Sequence, residues 1–137
     1  VEISEFAASK ARERGLNVAT GTIENLVDYG SSFRVITMWD VVEHHKHPDA
    51  DLKELDADWL FMSTPNVDAA EDFESWKHNR PGEHLHYFNK ESLDSLLTGI
   101  GYEVLEFNYG EGEIRDPECP ENIISVVAKK SCQAGGF

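Results

Sequence analysis

Basic residues are scarce in this chain. Twelve Lys and Arg stand against 26 Asp and Glu over 137 residues, a formal net charge of -14. Lys and Arg form no stripe, so a phosphate backbone would be repelled and nucleic acid is not expected as a direct partner. Long apolar runs are missing as well. None approaches the ~20 residues that span a bilayer, and no signal-peptide pattern precedes the first helix. A cytoplasmic location with no membrane partner is therefore expected. Cysteine is limited to Cys119 and Cys132, without metal-type spacing, and free thiols in a reducing compartment are the expectation. The glycine pairs Gly110-x-Gly112 and Gly135-Gly136 lie late in the chain. Neither follows a parallel strand and opens a helix, which excludes them as a turn for close backbone approach to a cofactor. There is no internal repeat and no low-complexity segment.

What remains is an ordinary globular composition, 40% hydrophobic and 28% charged, which suits one soluble domain. Val1–Ile3 reads as the end of a short strand. Ser4 then caps a helix, with Glu5 in its first turn, Phe6, Ala7 and Ala11 on a buried stripe, and Gly15 as the stop. Leu16–Thr20 and Phe33–Trp39 read as strands, the latter with an apolar run suited to burial on both faces. A short helix is expected over Asp49–Leu55. A fourth strand over Trp59–Ser63 is ended by Thr64-Pro65-Asn66. Val67–Pro81 reads as an irregular excursion, and Trp76-Lys77-His78-Asn79-Arg80 within it as a solvated loop or a contact for an anionic acceptor. A helix capped by Asn89 follows over Lys90–Leu97. Strands at Tyr102–Tyr109 and Ile123–Ala128 are joined by a hairpin-type connection over Gly110–Asn122. Strands alternating with helices predict an α/β, mostly parallel sheet, and the last two strands an antiparallel pair at its edge.

Three blocks carry chemistry. Val35-Ile36-Thr37-Met38-Trp39-Asp40-Val41-Val42-Glu43-His44 takes a strand into an acid-and-histidine shoulder, at the strand end where open α/β sheets bind ligands. Met62-Ser63-Thr64-Pro65-Asn66 and Gly82-Glu83-His84-Leu85-His86-Tyr87-Phe88 follow. In this order the blocks resemble the second half of a class I S-adenosylmethionine-dependent methyltransferase. The resemblance implies a Rossmann-like methyltransferase fold that is N-terminally incomplete, a partial domain over residues 1–130 with a disordered tail at 131–137. The family's glycine-rich turn, after a strand lying between those of Val1 and Val35, is not among these residues. Unpaired strand edges there would favour self-association.

The resemblance also implies roles. Glu2, with Ile3 beside it, sits where the family keeps the acid that accepts from both ribose hydroxyls; taken alone it is a favourable helix-dipole partner. Thr22 stands where relatives carry an acid for the adenine amino group, and Ile23 either covers the adenine or packs into the core. Trp39, Asp40 and Val41 fall at the lip of the cofactor site. Glu43 and His44 either face the acceptor or bind backbone at a buried junction. His84 and His86, read as alternating along a strand, point to the same side by the acceptor pocket with Tyr87. His84 is the candidate general base, while His86 and Tyr87 are acceptor contacts or structural groups.

His44, His45 and His47 invite a metal reading, since imidazole is the commonest metal ligand. Such close neighbours do not all converge on one ion, Lys46-His47-Pro48 reads as an exposed turn, and no HExxH or paired-cysteine spacing is present. No metal is expected. The function implied is methyl transfer from S-adenosylmethionine to a small-molecule acceptor, on oxygen, with this chain alone binding cofactor weakly or not at all. Two alternatives stay open: a methyltransferase-like module that binds without catalysis, and a histidine-based metal protein.

Overall fold

The computed structural model describes residues 1–27 and 33–131; the tail expected beyond Ser131 and the Cys132 thiol lie outside that range. Among the described residues, β1 (Phe33–Trp39), β2 (Ala57–Pro65), β3 (Tyr102–Asn108) and β4 (Ile123–Lys130) form one sheet in the order β1-β2-β4-β3. β1 and β2 are parallel, with Val35 opposite Trp59 and Trp39 opposite Ser63. β4 runs antiparallel to both β2 and β3, so three strands share one direction and the last is inserted against them. A parallel pair needs a crossover. Residues 40–56 provide it, with a 3₁₀ turn at Val42–His44 and α3 (Pro48–Glu54), whose proline occupies the first turn. No helix among the described residues is long and apolar enough to cross a membrane.

The core lies on one face of this sheet. Ile36, Met38, Leu60, Met62, Val126 and Ala128 meet Leu52 and Leu55 from the crossover and Leu93 and Leu97 of α4 (Lys90–Gly99). Asn89 starts α4 as predicted: its side chain accepts from the Ser92 N–H at 2.9 Å, and the Ser92 hydroxyl accepts from the Asn89 N–H at 3.0 Å. At the far end of the sheet the buried Tyr102 hydroxyl donates to the Ala57 carbonyl (2.7 Å) and accepts from the Ala57 N–H (3.1 Å). One side chain thus satisfies both backbone polar groups of the buried Ala57.

Several sequence expectations are corrected. The strands expected at Val1–Ile3 and Leu16–Thr20 reduce to a single parallel bridge between Glu2 and Thr20, because two short segments with no third strand beside them among the described residues gain little from pairing. α1 (Glu5–Glu13) is capped by Ser4, whose side chain accepts from the Ala7 N–H, but it buries Ala8, and Phe6 is 75% exposed. β1 is not buried on both faces: Ile36 and Met38 are buried while Val35, Thr37 and Trp39 are exposed, since only one face of this strand is covered. The connection expected as a hairpin contains α5 (Gly110–Arg115) and a 3₁₀ turn at Pro120–Asn122. Gly112 permits that packing, for a Cβ there would collide with the Pro120 carbonyl oxygen.

Residues 70–81 are irregular as expected but not simply solvated. Trp76 is buried, with its indole N–H donating to Asn122 Oδ1 at 3.1 Å, and Lys77 pairs with Asp116. His78 lies edge-on to Trp76 with Nε2 buried and without a partner. Burial, and then the charge of Lys77, hold its pKa below the ordinary histidine value.

Two predictions follow from this packing. Tyr102→Phe leaves both polar groups of Ala57 unmatched and should lower unfolding free energy in urea by about 1–3 kcal/mol; an unchanged midpoint would show that the pair contributes nothing. The depressed His78 pKa means that the unfolded chain takes up this proton first. Its stability term is therefore complete above the unfolded value of about 6.5 and is lost as pH falls toward the folded value. His78→Gln should make the urea midpoint fall less between pH 7.5 and 5 than in the parent; an equal fall in both proteins would count against it.

Candidate functional site

An open cleft of about 910 Å³ lies at the carboxyl end of β1. One wall is the Glu2–Thr20 bridge and the turn that follows it; the other is the exit of β1. Glu2, Ile3, Thr22, Ile23, Trp39, Asp40 and Val41 all line it, so the fold brings together every residue predicted for the cofactor. His44 lines its far end.

The first wall is built from polar contacts. One Glu2 oxygen, Oε1, accepts from the Ser4 N–H at 2.8 Å. The Arg12 guanidinium donates to the Val18 carbonyl and Thr20 Oγ1 at 3.1 Å and to Glu5 Oε1 at 2.6 Å, tying α1 to the turn. Gly21 takes φ +147°, where a Cβ would run into the Asn25 side chain. The Thr22 N–H donates to Asn25 Oδ1 at 2.9 Å. Ile23 packs on the core and also lines the cleft.

At the second wall Trp39 is 48% exposed, and its ring is available to a ligand. Asp40 has φ +52°. Its Oδ2 pairs with Arg115 Nη1 of α5 at 2.5 Å, while Oδ1 is buried without a partner. Sequence reasoning misses Arg115, and nothing local signals it: the pair spans 75 positions and depends on a helix where the sequence predicts a hairpin-type connection.

Beyond Asp40 the chain turns inward. Glu43 is only 1% exposed; its Oε2 accepts from the Thr64 hydroxyl at 3.2 Å and its Oε1 has no hydrogen-bond partner. Burial pushes its carboxyl above the usual carboxylate range. The Glu43 carbonyl accepts from the Leu85 and His86 N–H groups at 2.8 and 3.2 Å, which docks the histidine-rich loop against this turn. His44 meets His84 edge-on, with ring centroids 4.8 Å apart. His84 is 8% exposed with Nδ1 unpartnered, and burial, followed by the charge of His44, lowers its pKa.

His84 and His86 do not share a strand face. The segment is a loop, and the His86 ring stacks on Phe88 instead. The Tyr87 hydroxyl donates to Asn79 Oδ1 at 3.1 Å, a structural contact. None of His84, His86 and Tyr87 lines the cleft; His84 lies behind His44, which does. His44, His45 and His47 all line the cleft, but His44 meets the Glu83 carbonyl, His45 pairs with Asp51 at 2.7 Å, and His47 is exposed at the start of α3.

Residues 1–107 match the family model described as a methyltransferase domain. No curated protein sequence matches. Among solved structures, the chain is similar to an S-adenosylmethionine-dependent methyltransferase from Mesorhizobium loti (TM-score 0.66, 12% identity, 93% of this chain and 77% of that one). It is also similar to magnesium protoporphyrin IX methyltransferase from Synechocystis PCC 6803 with bound SAH (TM-score 0.65, 15% identity, 94% and 62%). A third is the [4+2]-cyclase SpnF (TM-score 0.62, 16% identity, 94% and 65%), so the chain spans about two thirds of the length of that protein. Identities this low establish the fold, Rossmann-like with the C-terminal antiparallel pair. The match over residues 1–107 establishes the family: this chain belongs to the methyltransferase-domain family.

Proposed function

We propose that this chain is the part of an S-adenosylmethionine-dependent methyltransferase that holds the nucleoside side of the cofactor and one side of a small-molecule acceptor, methylated on oxygen. S-adenosylmethionine is the cofactor that the family implies. One observation carries the reading: a single cleft gathers Glu2, the Thr22–Ile23 turn and the Trp39–Val41 strand exit in a chain of this family. Glu2 keeps Oε2 for a ribose hydroxyl while Oε1 holds the Ser4 N–H. Ile23 offers an apolar face to the adenine, and Trp39 borders the methionine half.

A sulfonium methyl group is already activated, so the protein's task is alignment and exclusion of water. His44, at the end of the cleft, leads to His84, the catalytic group proposed on the acceptor side. Burial lowers the pKa of His84 and so favours the neutral ring, the form that keeps a lone pair.

A second reading, a module that binds without catalysis, has its own support. Asp40 is committed to Arg115, and the cyclase shows that this fold does not by itself assign methyl transfer. Titration of S-adenosylhomocysteine followed by calorimetry tests the cofactor site. Saturable heat is expected, and Glu2→Ala should weaken it about tenfold, or about 1.4 kcal/mol. A folded chain that takes up no ligand, or a variant that binds equally well, would overturn the placement of the ribose at Glu2.

A further inference from the structure

Glu43, His44 and His84 each offer one donor atom, and these atoms lie within 4.8 Å of one another. The trio is not visible as such in the sequence, where His44 is grouped with His45 and His47; folding brings in a histidine 40 positions away. We propose that Glu43, His44 and His84 form a binding site for a divalent transition-metal ion such as zinc.

Each donor is prepared in its own way. Glu43 is buried, with Oε2 fixed by the Thr64 hydroxyl and Oε1 unpartnered. A buried carboxylate oxygen left without a donor is costly, and a cation is the partner that removes the cost. The His44 Nδ1 lies 2.8 Å from the Glu83 carbonyl, which can only accept; Nδ1 therefore carries the proton. In the neutral tautomer the lone pair is then on Nε2, 3.9 Å from Glu43 Oε1. Metal-ligating histidines are oriented in this manner, by donating the other ring nitrogen to a carbonyl or carboxylate. His84 is buried, edge-on to His44, with its Nδ1 unpartnered.

The frame around the donors is fixed by backbone. The Glu43 carbonyl binds two N–H groups of the loop that carries His84, and that loop's Glu83 carbonyl binds His44. Two imidazoles and one carboxylate are a borderline donor set, suited to zinc, cobalt, manganese or iron in the divalent state and poorly suited to calcium. Donor–ion distances of about 2.0–2.2 Å place donors about 3–3.5 Å apart, so a spread of 4.8 Å closes by small side-chain rotations. Three protein ligands leave positions open for water or an acceptor oxygen. An ion there would hold that oxygen and lower its proton affinity, so that the proton passes to water; His84 would then serve as ligand in place of the base role. Only this catalytic role rests on the proposed function; the ion site does not.

The test is calorimetric titration of zinc chloride into the chelator-treated chain, without cofactor, repeated with cobalt(II) while visible absorption is followed. The expected result is one ion per chain with micromolar or tighter affinity and a cobalt spectrum of low coordination number. Glu43→Gln and His84→Asn should each weaken zinc at least about 100-fold, while His47→Asn leaves it unchanged. The exposed His44→Asn serves as the third variant should a buried substitution unfold the chain, and circular dichroism checks each fold. No binding by the folded parent, or binding lost in His47→Asn and kept in the other variants, would overturn the site. Because no cofactor is present, this outcome is independent of whether S-adenosylhomocysteine binds at Glu2.

Discussion

Glu43 is held through its backbone and its side chain at once, and the polar end of the sheet depends on that double attachment. Its carbonyl receives two N–H groups from the loop of residues 83–86, and its carboxylate receives the Thr64 hydroxyl at the end of β2. Three segments distant in sequence, the β1 exit, the β2 end and the histidine loop, therefore meet on one residue. The arrangement is expensive, since an ionised carboxylate loses several kcal/mol of hydration on burial and one hydroxyl cannot restore it. The raised proton affinity of Glu43 is the direct expression of that imbalance. An apolar residue would fill the same space at lower cost, which makes the carboxylate a feature of the site and not of the core.

The two walls of the cleft are stabilised by different physics. The β1 wall is continuous with the apolar core through Ile36 and Met38. The N-terminal wall is tied through Arg12, Glu5 and Thr20, all exposed, and within α1 only Ala8 is buried. Exposed ion pairs contribute little net free energy and are screened by salt. Ile23 and Leu26 give this wall its apolar contact with the core. The width of the cleft is thus set by one well-anchored side and one side whose position depends on few apolar contacts, a common division where a ligand must enter.

Local signals predicted local structure well. Ser4 and Asn89 cap the helices they were expected to cap, and the apolar runs at Val35 and Leu60 became the parallel pair. The resemblance extended further: seven residues scattered over 40 positions line one cleft. What failed was whatever depends on partners far away. An amphipathic reading of α1 cannot know which face its neighbours cover, so Phe6 was misplaced. Alternation at His84-Leu85-His86 suggested a strand, but the Glu43 carbonyl captures two successive N–H groups there and sets a loop. Arg115 and Asp40, or His84 and Glu43, carry no mark in sequence of being neighbours.

Asp40 shows how backbone and charge combine at the junction. Its φ of +52° is a left-handed conformation that a residue with a Cβ adopts at a cost of order 1–3 kcal/mol, least for Asp and Asn. Two contacts maintain it: its N–H donates to the Ser63 carbonyl at 3.1 Å, continuing the β1–β2 ladder by one bond, and its carboxylate grips Arg115. The left-handed residue turns the chain sharply after the last β1 bond, and this turn is what sends Val42 and Glu43 beneath the sheet end while Trp39 stays at the cleft. A glycine here would adopt the conformation without strain but would lose the hold on α5. An asparagine would keep the backbone and lose the charge. Aspartate alone supplies the turn, the tie to Arg115 and a second buried, unpartnered carboxylate oxygen near Glu43. Strain, ion pair and open oxygen are therefore consequences of one residue, placed where the strand gives way to the site.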